Sequence, residues 1–301
     1  MKIIDPHIHL FNVEEGDYHW LKAESPPFWS DKSLINKSFT FSDIKLSSPI
    51  NLEGFIHIEA GFDNSQPWRE LEFLEDTILN QKNKTLFKAI ASIDLTKPTL
   101  HLEQDLDILA KQKSFTGVRH IFDEQALQLL TDRQVLDNIA ALNEFAKARN
   151  QGIVFETQLF LSDRQAVKTI CTVIEKSTHI KFIINHAGFP PTAHLIAPWQ
   201  HWYDSLCELA SLPNIAVKCS GWEMVDREFQ KARLNKQLSV ILNTFGVNKV
   251  MLASNFPLCL FSHKSYQDYW LSIIQSDFFQ KLTMQEKSAL CYHNALNWYS
   301  M

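Results

Sequence analysis

The chain has 301 residues, 45% of them hydrophobic, enough to bury one large core or two small ones. Lys plus Arg number 29 against 34 Asp plus Glu, so the formal net charge of -5 argues against a nucleic-acid partner. Five dispersed cysteines, an N terminus without a signal-peptide pattern and no uncharged stretch long enough to span a bilayer predict a reduced, cytoplasmic protein with no membrane partner.

The first predicted strand is KIIDPHIHL, residues 2–10. Side chains alternate along a strand with period two, so Asp5, His7 and His9 are expected to point the same way. Two imidazoles on one face of an interior strand are costly without partners, which predicts a site there. The segment from Phe11 to Asn51 carries Tyr18, His19, Trp20, Phe28 and Trp29 around Pro26 and Pro27. A long aromatic loop of this kind reads as a wall or lid, with Trp20 a candidate substrate contact. LEGFIHIEA is the second strand, QPWRELEFLEDTILNQK a helix, and LFKAIASID and FTGVRHIF the third and fourth strands. TDRQVLDNIAALNEFAKARNQG has Val135, Ile139, Leu142 and Phe145/Ala146 on one helix face, Thr131 with Gln134 as a capping box and Gly152 as a stop. After the strand GIVFETQLF, SDRQAVKTICTVIEKS repeats the pattern, with Ser162 and Gln165 at its start and Val167, Ile170 and Ile174 on one face. IKFIINHAG, the helix PWQHWYDSLCELASL, NIAVKCSG and KVMLASNF complete the series.

Eight apolar strands alternating with helices indicate parallel βαβ units, and a chain of this length fits a single-domain (β/α)8 TIM barrel over residues 1–301, with the loop 11–51 above its active face. An open doubly wound sheet would place a Gly-rich phosphate loop after the first strand, and none is present. In a barrel, functional groups stand at the carboxyl ends of strands. Those ends carry His7 and His9, His57 and Glu59, Arg119 and His120, Glu156 and Gln158, Asn185 and His186, Lys218 and Ser220, and Ser254 and Asn255. Such a set implies a solvated site for a small molecule. His57 and His120 read as packing residues. Glu59 could be solvated or paired with Arg119, and Lys218 is either a core-edge charge or a substrate contact.

IIDPHIHLF with YHWL, GFIHIEAG, TGVRHI, INHAGFPP, NIAVKCSGW, VMLASNFP and the terminal HNALNWYS run in order from residue 3 to residue 299. Together they resemble the amidohydrolase-related lactonase branch of the amidohydrolase superfamily, which includes sugar-acid lactonases and 2-pyrone-4,6-dicarboxylate lactonase. The resemblance implies a (β/α)8 barrel and a hydrolase that opens a lactone of a sugar acid or an aromatic-derived dicarboxylic acid by water attack. It maps His7 and His9 onto the strand-one histidine pair, Arg119 onto a strand-four position that grips a carboxylate or polarises a carbonyl, and His186 onto the strand-six histidine. Asn255 stands where many members carry an aspartate that activates water. Asparagine cannot accept a proton at neutral pH, and losing a positioned base forfeits about 10²–10⁴ in rate. Of the groups that could take over, His186 and Glu59, the expectation falls on His186, whose ordinary pKa of about 6.5 lies nearer neutrality. His7, His9 and His186 could together hold one divalent metal such as zinc. Arg119 in place of a bridging lysine, and Glu156/Gln158 in place of a strand-five histidine, argue against two metals. The expectation is chemistry that requires no cofactor, with the histidines and Arg119 cradling the oxyanion. The competing readings are a single-metal decarboxylase-like or amide-hydrolysing relative, and a non-catalytic barrel that binds a small acid, for which Asn255 is the best argument.

Overall fold

The computed structural model describes residues 1–78, 85–149, 152–192 and 195–301. The end of the first predicted helix after Ile78, the Asn150–Gln151 end of the second, and Ala193–His194 in the segment after strand six lie outside the described residues. Among the described residues, eight strands form one sheet in the order β1 to β8, every neighbouring pair parallel. They are β1 Lys2–Ile8, β2 Asn51–Ile58, β3 Leu86–Ser92, β4 Phe115–Ile121, β5 Ile153–Gln158, β6 Ile180–Ile184, β7 Ile215–Cys219 and β8 Val250–Leu252. The main helices between them are α1 Trp68–Ile78, α2 Thr99–Leu109, α3 Ala126–Thr131, α4 Arg133–Ala148, α5 Arg164–Lys176, α6 Ile196–Ala210, α7 Trp222–Val225 and α8 Lys231–Phe245, with α9 Tyr266–Ile274 after β8. This is a (β/α)8 TIM barrel. All eight predicted strands fall where the apolar runs lie.

β8 is short, and the barrel closes just beyond it. Asn255 N donates to His7 O at 3.0 Å and His9 N donates to Phe256 O at 2.7 Å, lacing β1 to the segment that carries Asn255. The barrel interior is packed by Ile4, Ile56, Ile58, Ile90, Val154, Ile183, Ala216 and Met251, one or two side chains from each of seven strands. Gly117 fills the remaining wall of β4, where a Cβ would meet Val154 O at 2.4 Å. Ala295 and Tyr299 of the last helical turn join the same cluster and plug the end away from the strand carboxyl ends.

Two sequence expectations change here. Asp5 does not share the face of His7 and His9. Asp5 pairs with Phe55 and Ile8 with His57, so three steps on β1 match two on β2. That one-residue bulge contains Pro6, which has no N–H to give the ladder, and it turns the following side chains over. Asp5 instead faces α9, accepting from Tyr266 OH at 2.9 Å and from the backbone N–H groups of His7 and Ser254, both at 3.1 Å. The helix starts also differ by one residue. Asp132, not Thr131, caps α4 by accepting from Gln134 N and Val135 N, while Thr131 ends α3. Asp163, not Ser162, caps α5 by accepting from Gln165 N and Ala166 N. A carboxylate in the cap position gains from the helix dipole as well as from the hydrogen bonds, so Asp outcompetes its hydroxyl neighbour. The predicted faces hold, with Val135, Ile139, Leu142 and Ala146 buried on α4 and Val167, Ile170 and Ile174 on α5.

Candidate active site

The strand carboxyl ends bring the predicted histidines into contact. His7 Nε2 lies 3.2 Å from His9 Nε2, and the His7 and His186 ring centroids are 4.7 Å apart. The proton positions follow from the partners. His9 Nδ1 faces two carbonyls, Ile58 O at 2.8 Å and Glu59 O at 3.2 Å, which can only accept, so Nδ1 carries the proton. In the neutral ring His9 Nε2 is then a bare acceptor and His7 Nε2–H donates to it. That leaves His7 Nδ1 an acceptor, and it is buried without a partner among the described residues. His186 Nδ1 meets Ser220 Oγ at 3.1 Å.

The site is buried, not solvated as the sequence suggested: His7 is 0% and Asn255 1% exposed. Burial holds the imidazoles of His7, His9 and His186 well below their ordinary pKa, and the positive charges of Lys218 and Arg119 push the same way. All three rings are therefore neutral at pH 7.

Arg119 and Glu59 pair at the ends of β4 and β2. The guanidinium donates from Nε to Glu59 Oε1 at 2.7 Å and from Nη2 to Glu59 O at 2.9 Å, while Nη1 reaches Gln158 Oε1 at 3.4 Å. Lys218 lies deeper, fully buried, with Nζ 2.7 Å from Glu156 Oε2 and 3.3 Å from Pro6 O. Burial lowers its pKa to about 8 despite the neighbouring Glu156 carboxylate. Lys218 is held by Glu156 and Pro6 O, and its charge bears on His7 and His186. His57 is held between Leu10 N at 3.2 Å and Glu70 Oε1 at 2.9 Å, a structural position.

The β1–β2 segment lies against this end of the barrel. Trp20 Nε1 donates to Ala60 O at 2.7 Å, and Trp29 packs on Phe261 with ring centroids 5.5 Å apart. The Arg227 guanidinium stacks 4.1 Å from the Phe261 centroid and bonds Asp31 Oδ2 at 2.8 Å, fastening the segment to the residues after α7. Phe28 stands 75% exposed and takes no part in that wall.

Sequence reasoning placed Asn185 at a strand end without giving it a role, and passed over Glu223. Asn185 is fully buried at the end of β6, and neither of its amide atoms has a partner among the described residues. Glu223, on α7, is fully buried and accepts from Asn255 Nδ2 at 2.5 Å. Burial pushes its carboxyl up to about 7. A search for acids just past the strand ends, rather than within them, would have found it. Backbone strain gathers at the same place: His186, Ala187 and Asn255 have φ of 53, 52 and 59, in the left-handed region. The β6 turn is anchored by Trp202 Nε1 donating to Ala187 O at 2.8 Å. Strain of about 1–3 kcal/mol per residue persists where surrounding bonds over-determine it, which is common at active sites.

Two imidazole nitrogens 3.2 Å apart resemble two ligands on one zinc, for which Zn–N distances of about 2.0–2.1 Å are usual. The third donor is missing. Among the described residues no group of three or more His, Cys, Asp or Glu is arranged to hold a metal ion. His7, His9 and His186 thus share a site without making a three-ligand centre.

Gly221 seats His186. A Cβ at this position would lie 2.4 Å from His186 Nδ1, and its φ of +70 is one that alanine adopts at a cost of about 1–2 kcal/mol. Gly221→Ala is expected to displace the imidazole and remove turnover while leaving a folded barrel, as read by circular dichroism beside an activity assay. Native turnover in a folded variant would show that His186 need not occupy this position.

A family profile described as Amidohydrolase matches residues 4–301. The uncharacterized protein y4mH of Sinorhizobium fredii is 26% identical, over 99% of this chain and 98% of its own length. An L-fucono-1,5-lactonase of Burkholderia ambifaria is 22% identical, over 87% of this chain and 86% of its own. The fold matches an amidohydrolase from Burkholderia multivorans solved with bound zinc, at a TM-score of 0.79 and 20% identity over 100% of both chains. It also matches amidohydrolase 2 from Bifidobacterium longum subsp. infantis at 0.69 and 17% identity, over 100% of this chain and 99% of that one. Among the described residues no helix is long and apolar enough to cross a membrane. A barrel with paired strand-one histidines, a strand-six histidine and a family match from residue 4 to the last residue has one reading: this chain belongs to the amidohydrolase family.

Proposed function

We propose that the protein is a lactonase-type hydrolase that opens the cyclic ester of a sugar acid by attack of water. The observation that carries this reading is the contact of three neutral imidazoles, His7, His9 and His186, beside the unpartnered amide of Asn185 at the barrel mouth. Buried polar atoms without partners are rare in folded proteins, and a cluster of them suits a polar, uncharged ligand with several oxygens. The L-fucono-1,5-lactonases among the relatives supply the substrate class.

In this reading His186 accepts from Ser220 at Nδ1 and donates from Nε2 to the lactone carbonyl oxygen as negative charge develops there, while His7 and His9 brace each other beside it. A single preorganised donor of this kind is worth about 10²–10³ in rate. Ser220 sets the tautomer of His186, and Glu59 fixes Arg119 so that its charge faces the site. Lys218 acts through its field and Trp20 lines the wall. His186 serves better as an orienting group than as a base. Its depressed pKa makes it a weak acceptor of a proton from water, and that function needs a group that titrates nearer neutrality.

A hydrolysis screen tests the reading. Sugar-acid 1,5-lactones and aromatic-derived lactones are offered to the purified protein with and without chelator. Turnover of a sugar-acid lactone is expected, persisting in chelator, with no more than one metal equivalent per chain by elemental analysis. Failure to open any lactone would overturn the substrate class, and two metals per chain at full activity would overturn the site chemistry.

A further inference from the structure

We propose that Glu223 supplies the carboxylate that strand eight lacks: Glu223 and Asn255 form a transposed acid–amide pair, in which the acid stands on α7 and the amide at the strand end. This rests on the lactonase reading and names its proton acceptor. The two side chains meet at 2.5 Å, with Asn255 Nδ2 donating to Glu223 Oε1. Both are buried, and the other oxygens of the pair, Asn255 Oδ1 and Glu223 Oε2, have no partner among the described residues. A purely structural pair would close its hydrogen bonds, because each buried unsatisfied polar atom costs about 1–3 kcal/mol.

The pair adjoins the histidines on two sides. Asn255 N bonds His7 O at 3.0 Å, and Gly221, two residues before Glu223, packs against the His186 ring. The charge of Arg227 favours the carboxylate, and burial outweighs it. Arg227 donates to the backbone oxygen of Glu223 and is otherwise taken by Asp31. The other titratable groups near Glu223 are Cys259, beyond β8, and Tyr269 on α9, and burial raises the pKa of both so that they remain neutral. Among the described residues the Asn255 amide is the one side-chain donor to the carboxyl.

Water attacks the lactone carbonyl carbon as its proton passes to Glu223 Oε2, forming a new C–O bond and a tetrahedral oxyanion. The oxyanion collapses, the ring C–O bond breaks, and the departing ring oxygen takes the proton back from Glu223. One water and one lactone give one hydroxy acid, and the carboxylate is regenerated. Asn255 contributes orientation: its amide holds Oε1 and leaves Oε2 as the free oxygen.

The test compares native protein, Glu223→Gln and the swapped double variant Glu223→Gln/Asn255→Asp on a lactone that the native protein opens. Glu223→Gln is expected to lower kcat about 10²–10⁴-fold with KM little changed, and to abolish the acidic limb of the pH–rate profile. The swap is expected to recover at least tenfold over Glu223→Gln, with the limb restored at a new position. A structural pair predicts recovery of stability in the swap and no movement of the limb. Native turnover with an unchanged limb in Glu223→Gln overturns the proposal, as does a folded swap with no recovery. Infrared difference titration gives a readout independent of substrate: the native protein is expected to show a carboxyl that protonates near neutral pH, lost in Glu223→Gln. A native protein that opens no lactone but shows this band retires the lactonase reading and keeps the acid. Absence of the band overturns the acid whatever the protein hydrolyses.

Discussion

Glu156→Gln is expected to cost on the order of 3 kcal/mol of folding stability at pH 6, and much less at pH 9. Glu156 and Lys218 are both fully buried and meet at 2.7 Å across the barrel interior, with Tyr299 donating its hydroxyl to the other carboxylate oxygen. Glutamine preserves the shape but removes the countercharge, leaving a lysine inside the barrel with Pro6 O as its remaining partner. The sign follows from Lys218. Its folded pKa of about 8 lies below the 10.5 of an ordinary lysine, so the unfolded chain binds its proton more readily. The penalty is complete below pH 8 and fades as pH rises toward 10.5. Without Glu156 the folded pKa falls further, which widens the deficit on the acid side. Above pH 8 native and variant both hold a neutral amine and converge. Denaturant unfolding at pH 6 and pH 9 measures this, and equal losses at the two would mean that charge is not the cause. Glu156→Gln/Lys218→Met is expected to recover most of the loss, because a buried pair exchanged for apolar volume is close to neutral.

The strands were legible because each is a short apolar run with a polar end, and the barrel followed from their number and alternation. His7, His9 and His186 were legible for a related reason: the strand-end rule names positions, five of them held imidazoles, and the family resemblance singled out these three. Asp5 was misread because period-two reasoning assumes an unbroken ladder, and the Pro6 bulge inserts one residue into it. Arg119 and Glu59 were identified as a potential pair, but the sequence could not tell how completely the guanidinium is occupied, since that depends on the Glu59 carbonyl as well as its carboxylate. The Tyr299 contact to Glu156 joins residues 143 apart in sequence, and no local pattern announces it. Glu223 escaped because it lies beyond the end of β7, on a one-turn helix that the search stopped short of. Its burial comes from the chain folding back through Asn255, Cys259 and Tyr269, a tertiary fact with no local signature.

Asn255→Asp is expected to destabilise the protein increasingly as pH rises, by on the order of 3–5 kcal/mol at pH 8 and little at pH 4. The exchange is nearly isosteric and would be harmless at a solvated strand end. In the structure Asn255 is buried with its amide 2.5 Å from Glu223. Aspartate replaces that donor with a second carboxyl, and two acids at this distance must share a proton. Glu223 alone is already pushed up to about 7 by burial, against 4.5 for an ordinary glutamate. A neighbouring acid raises the pair further. Folded-state carboxyl pKa values above the unfolded ones mean that the folded protein binds more protons, so stability is complete below about pH 4 and is lost as pH climbs through the folded values. Each pKa unit is worth about 1.4 kcal/mol, which sets the size of the loss. Adding Glu223→Gln removes one of the two acids and restores a donor, so the double variant is expected to unfold near the native midpoint at pH 8. Urea unfolding of the three proteins at pH 4, 6 and 8 decides the matter. An Asn255→Asp curve parallel to the native one throughout would mean that the two side chains are not in contact in solution, and the acid–amide pair would fall with it.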